Sequence, residues 1–132
     1  MALKVRGIDH LVLRVNDPAA MEQFYVEVLG LTVERRQDRI GLVQLRAGAQ
    51  LVDLVAVDGL LGQQGGAGPG AEGRNLDHFC LNLDDFDLDA VVAHLEAHGV
   101  KVGESGRRYG AGGFGVSVYL TDPEGNGLEL RG

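Results

Sequence analysis

A single cysteine, Cys80, is all the sulfur chemistry that the 132 residues offer beyond two methionines. One cysteine excludes an intramolecular disulfide and any zinc site built on several thiolates. Its sequence neighbours are apolar, so Cys80 reads as a small buried hydrophobe. Long apolar runs are also missing, and nothing approaches the roughly 18 residues of a membrane span. Basic residues are outnumbered, 12 Lys and Arg against 19 Asp and Glu, for a net charge of −7. That field repels a phosphate backbone, so nucleic acid is not an expected partner. Residues 1–7 lack the apolar core of a signal peptide, and a cytoplasmic location is expected.

What the chain has in excess is glycine, 21 residues, gathered in two clusters. One lies in 58–75 and the other in 103–115. Such stretches read as long connections or flexible rims, and Tyr109 with its neighbouring glycines reads as a mobile lid. The string Gly66-Ala-Gly-Pro-Gly70 resembles a phosphate loop only superficially. Neither a strand before it nor a helix after it supports that role.

The remaining pattern is a repeat. Ile8-Asp-His-Leu-Val-Leu-Arg-Val-Asn-Asp17 aligns without gaps with Leu76-Asp-His-Phe-Cys-Leu-Asn-Leu-Asp-Asp85. Each copy leads into a helical spacing of apolar residues. In the first these are Met21, Phe24, Tyr25 and Val28, and in the second Leu88, Val91, Val92 and Leu95. Asn16 or Asp17 with Pro18 behind marks the first helix start, and Asp85 or Asp87 the second. Gly30 and Gly99 mark the stops. Matching strands are expected at 30–33 and 99–102. Two more follow in each copy, at 40–46 and 50–57, then at 115–120 and 127–131. The last pair is joined by Asp122-Pro-Glu-Gly-Asn126, good turn chemistry. The expected fold is α+β, two tandem βαβββ modules forming a curved, partly open mixed sheet around a cavity. As one domain over 1–132, it divides into module one at 7–57, a linker at 58–75 and module two at 76–131.

Strand alternation then groups the polar residues. His10, Val12 and Arg14 share a face, as do His78, Cys80 and Asn82. Asp53 and Glu129 each sit inside an apolar run on the last strand of their module. A buried carboxylate needs a partner or a cation. Two imidazoles and two carboxylates, His10, His78, Asp53 and Glu129, make a mixed nitrogen and oxygen set. It suits Zn, Ni, Co, Mn or Fe better than Cu(I) or Ca. The plain alternative is a pair of structural histidines with both carboxylates facing solvent. The symmetrical recurrence of all four favours the metal site. Arg14 and Ser117 are further candidates for contact with a small-molecule substrate.

Several segments carry a family resemblance. They are Asp9-His10, Phe24-Tyr25-Val-Glu-Val-Leu29-Gly30-Leu31, Asp77-His78-Phe79, and Tyr119-Leu-Thr-Asp122-Pro-Glu-Gly-Asn126-Gly-Leu-Glu129-Leu130. Together they resemble the vicinal oxygen chelate superfamily over nearly the whole chain. It includes glyoxalase I, fosfomycin-resistance thiol transferases, extradiol dioxygenases and bleomycin-binding proteins. The resemblance implies metal ligands at His10, Asp53, His78 and Glu129, with Glu129 also serving as catalytic base. Asp53 departs from the more frequent Glu or Gln and reaches roughly 1.5 Å less far. Tyr119 matches a substrate-pocket tyrosine of the fosfomycin enzymes. The implied activity is isomerase, lyase or thiol-transfer chemistry on a substrate held through adjacent oxygens, in a homodimer. The alternative is metal-free binding of a small molecule, as in the bleomycin-sequestering relatives.

Overall fold

The computed structural model describes residues 1–132. The chain divides into two compact units, Met1–Gly68 and Pro69–Gly132. Each holds one four-stranded sheet, and the two sheets are built on one plan.

In the first unit the strands are β1 (His10–Val15), β2 (Thr32–Gln37), β3 (Leu42–Ala47) and β4 (Gln50–Ala56). Their order is β1-β4-β3-β2, with β1 parallel to β4 and the other pairs antiparallel. Helix α1 (Pro18–Gln23) supplies the crossover that a parallel pair requires. Asp17 caps it, its carboxylate accepting from the Ala20 amide at 3.1 Å, and Pro18 occupies the first turn. The helix then loosens into a π-helical turn over Phe24–Val28. Gly30, at φ +78°, ends it in a conformation costly for other residues. Met21, Phe24 and Tyr25 are buried, as are Leu13, Val15, Leu45, Val52 and Leu54 on the strands. The 3.6-residue spacing of the helix thus meets the two-residue alternation of the strands on one side of the sheet.

The second unit repeats this with β5 (His78–Asn82), β6 (Ser105–Gly110), β7 (Gly113–Thr121) and β8 (Gly127–Arg131). The order is β5-β8-β7-β6, with β5 parallel to β8. Helix α2 (Leu88–Ala97) starts at Asp87, whose carboxylate accepts from the Ala90 amide at 2.8 Å. Of its apolar residues only Leu95 is fully buried, joining Val118, Leu120, Leu128 and Leu130. Burying that leucine contributes about 1.5–3 kcal/mol, and the half-buried Leu88, Val91 and Val92 add to the attachment of α2.

One strand lies elsewhere than the sequence pattern suggests. Residues 100–104 form no regular strand, and β6 begins at Ser105, inside the second glycine cluster. Its order comes from pairing with β7, not from its own propensity. The pairing is prolonged by Gly103 donating to the Tyr119 carbonyl at 2.8 Å and by Tyr119 donating to that of Glu104 at 2.9 Å. Tyr109 is accordingly a strand residue. It faces the side of the sheet opposite Arg108 and Ser117 and packs edge-on against Phe114.

The turn before β8 is built around Asp122. Its Oδ1 accepts from the amides of Glu124 and Asn126, each at 3.0 Å, and its Oδ2 from Asn126 Nδ2 at 2.8 Å. Both Asp122 and Asn126 are buried, and Gly125 adopts φ +85°. This turn fixes where β8 begins and therefore which of its residues face the polar side.

Candidate metal-binding half-sites

The helix-free face of each sheet carries the polar residues. In a parallel pair, residues in register point the same way. His10 is in register with Leu51 and Val12 with Asp53, while His78 is in register with Gly127 and Cys80 with Glu129. So each module places a histidine at the start of its first strand. A carboxylate sits two residues further along the neighbouring strand, on the same face. The aligned positions are the same in both modules.

Each histidine is held by the residue before it. His10 Nδ1 lies 2.8 Å from Asp9 Oδ1, and His78 Nδ1 lies 2.5 Å from Asp77 Oδ2. A carboxylate on Nδ1 selects the tautomer that leaves Nε2 as an electron-pair donor, the arrangement metal-binding histidines use. The Asp9 hydrogen bond, with the charges of Asp53 and Asp9, raises the His10 pKa above its usual value.

In module two the carboxylate has been prepared in detail. Glu129 is 6% exposed and accepts from Ser117 Oγ at 2.6 Å through Oε2, while Oε1 lies 3.4 Å from His78 Nε2. Burial pushes its carboxyl pKa up, but hydrogen bonds from Ser117 and Tyr119, the His78 charge and Cys80 outweigh it. The group ends below the ordinary carboxylate value. Tyr119 also meets the His78 ring edge-on, with centroids 5.8 Å apart. Close to His78 the backbone of β8 leaves no room. A Cβ at Gly127 would lie 2.4 Å from the Asp77 carbonyl and 2.9 Å from His78 Cβ.

Module one is less complete. Asp53 is 4% exposed; its Oδ2 accepts from Gln44 Nε2 at 3.2 Å, and its Oδ1 has no hydrogen-bond partner. An orphaned buried carboxylate oxygen is costly unless something binds it. The shorter aspartate makes no contact with His10 under 4.0 Å, unlike Glu129 with His78. No three His, Cys, Asp or Glu side chains form a single metal-competent group. The structure sets the four expected ligands on matching strand positions as two pairs, of which only His78 and Glu129 lie within 4.0 Å of each other.

The other expected site residues separate. Ser117 and Tyr119 both touch Glu129. Arg14 shares the His10 face but reaches the first glycine cluster. It donates to the carbonyls of Ala67 at 2.9 Å, Gly62 at 2.8 Å and Gly66 at 2.7 Å. Cys80 is exposed, not buried, because β5 is an edge strand whose polar face no helix covers. Its thiol pKa is pushed up to about 11, by partial burial and by the Glu129 charge beside it. Three partners were not singled out by sequence reasoning: Gln44 on Asp53, and Asp9 and Asp77 on the histidines. The repeated Asp-His dipeptide was the available signal for the last two.

The chain belongs to the Glyoxalase/Bleomycin resistance protein/Dioxygenase superfamily, whose sequence profile matches residues 7–130. Among individual proteins it is similar to Virulence protein STM3117 of Salmonella typhimurium. The two are 32% identical over 125 residues, covering 93% of this chain and 81% of that one. The crystal structure of that protein superposes with a TM-score of 0.80, covering 98% of each chain. Glyoxalase domain-containing protein RDO1 of Mycosarcoma maydis is 33% identical, over 97% of this chain and 69% of its own. The lactoylglutathione lyase structure from Agrobacterium tumefaciens shares 26% identity at a TM-score of 0.70, covering 96% of this chain and 93% of that one. No helix is long and apolar enough to cross a membrane.

Proposed function

We propose that this chain is a small metal-dependent enzyme of the glyoxalase type, binding its substrate through two adjacent oxygens on a divalent cation. The observation that carries the reading is the repeated pair: an aspartate-held histidine beside a buried carboxylate, at matching positions of both modules. His10, His78 and Glu129, with Asp53, would hold the cation. A pair alone is too few ligands, so the full set needs both half-sites, from one chain or from two. The donors fit Zn, Ni, Co, Mn or Fe. The unpartnered Asp53 Oδ1 is the buried oxygen that such a cation would satisfy.

When bound, the cation supplies Lewis acidity to the paired substrate oxygens. The protein's part is to orient and to move a proton. Ser117 and Tyr119 keep Glu129 ionised, and Ser117 fixes its Oε2, so this carboxylate would be the group that takes a proton from substrate. The Tyr119 hydroxyl and Ser117 border the substrate, and Arg14 adds positive charge on the module-one side. The reaction classes that fit are isomerisation, lyase chemistry and thiol transfer. On this reading residues 1–132 act as one domain of a cytoplasmic homodimer, with residues 58–75 as linker.

Elemental analysis of gently purified wild type, His10→Ala, His78→Ala, Glu129→Ala and Asp53→Ala tests it. Stoichiometric metal in wild type, lost in the first three variants, is expected. A wild-type protein that stays metal-free after incubation with each of these cations, or equal metal in all variants, would overturn it.

A further inference from the structure

On the face that carries Glu129, two residues further along β8, lies Arg131. It is 6% exposed, and no carboxylate oxygen comes within 4.0 Å of its guanidinium. Its one hydrogen bond is from Nη2 to the Gly113 carbonyl at 2.8 Å. A buried cation without a counter-charge is expensive, and in a chain of net charge −7 acidic partners are not scarce. The burial is also built in. A Cβ at Gly110 would fall 2.0 Å from Arg131 Nη1, and one at Gly115 would fall 2.6 Å from Nη2. The second glycine cluster thus leaves open the space that this side chain occupies, with no Cβ over it.

Asn82 is in register with Arg131, and both it and Cys80 on the same face of β5 are exposed. Ser117, in register with Arg131 on β7, gives its hydroxyl to Glu129. A guanidinium beside glycines, with most donors unspent and an open polar flank, suits a planar or tetrahedral oxyanion taken by a forked contact.

We infer that Arg131 anchors an oxyanion subsite in module two, which takes the carboxylate, phosphonate or phosphate group of the substrate. The placing of that group on a substrate rests on the metal-dependent reading; the anion site itself does not. Two residues along a strand span about 7 Å, so the anionic group would sit beside the Glu129 carboxylate and not on it.

The test is a titration of the full chain, 15N-labelled and freed of metal with chelator, with methylphosphonate and separately with acetate. The readout is the Arg131 Nε–Hε resonance and the amides of residues 80–82 and 113–115. Expected are saturable shifts with one or both anions, absent in Arg131→Met and at least tenfold weaker in Arg131→Lys, which keeps the charge but not the fork. If Arg131→Met does not fold, Arg131→Lys decides. No saturable shift in wild type, or an unchanged midpoint in the folded variants, overturns the inference. Since metal is absent throughout, a chain that binds anion yet never takes up cation keeps this site and loses the metal reading. The converse result does the reverse.

Discussion

Ser117→Ala removes one oxygen from a fully buried position and with it the 2.6 Å hydrogen bond to Glu129 Oε2. A hydrogen bond to a charged group contributes about 1.5–3 kcal/mol. Taking about 2 kcal/mol, and an unfolding entropy of about 0.28 kcal/mol/K for a chain of this length, the melting temperature falls by about 7 °C. It falls by roughly twice that if module two melts alone. The loss depends on pH in a definite direction. The Glu129 carboxyl lies below its ordinary 4.5 in the folded chain. Its stabilisation is therefore present above 4.5 and drains away as pH drops through the lower, folded value. The gap between wild type and Ser117→Ala is full at pH 7, nearly full at pH 5.5 and shrinking below 4.5. Urea unfolding of chelator-treated protein at pH 7, 5.5 and 3.5 measures it. A gap under 0.5 kcal/mol at pH 7, or one that does not narrow in acid, refutes the account of how Glu129 is kept ionised.

Three further outcomes are expected. Gly127→Ala forces a Cβ against the Asp77 carbonyl and His78. It lowers stability by about 1–3 kcal/mol in urea unfolding, and a neutral result would show that β8 shifts freely. Asp77→Asn weakens metal affinity about 10- to 100-fold by competition with a chelating dye; unchanged affinity would remove Asp77 from any role in orienting His78. Cys80, though exposed, reacts with a disulfide reagent at pH 7.5 on the order of twentyfold more slowly than a free cysteine, because its thiol pKa is pushed up to about 11 and the scarcer thiolate is only partly offset by its greater nucleophilicity. Glu129→Gln speeds that reaction by removing the neighbouring charge. A wild-type rate matching free cysteine contradicts the environment described for β5.

The repeat was legible because it is written in strong local signals. Asp17 and Asp87 cap helices, Gly30 and Gly99 follow their ends, and the Asp-His dipeptides recur at one offset. Glu129 and Asp53 stood out as charges inside apolar runs, and both proved buried. What the pattern hid was anything set by pairing between strands. β6 is rich in glycine and has little strand propensity, and only β7 orders it. Cys80 looked like core because its sequence neighbours are apolar, yet alternation turns it to the uncovered face. Both glycine clusters read as slack chain, whereas each lies against an arginine, Arg14 at Gly65 and Arg131 at Gly110 and Gly115. Contacts of that kind join residues about 15–50 positions apart, beyond the reach of any local window.

Both ligand histidines ride on β1 and β5, the outermost strands of their sheets, each hydrogen-bonded along one side only. Outermost strands fray first, so amide exchange there is faster than in their inner neighbours β4 and β8. Tying an imidazole on such a strand to a cation anchored by its inner neighbour would act as a rivet. Slower exchange at 10–15 and 78–82 on metal addition would then report loading strand by strand, with no substrate required.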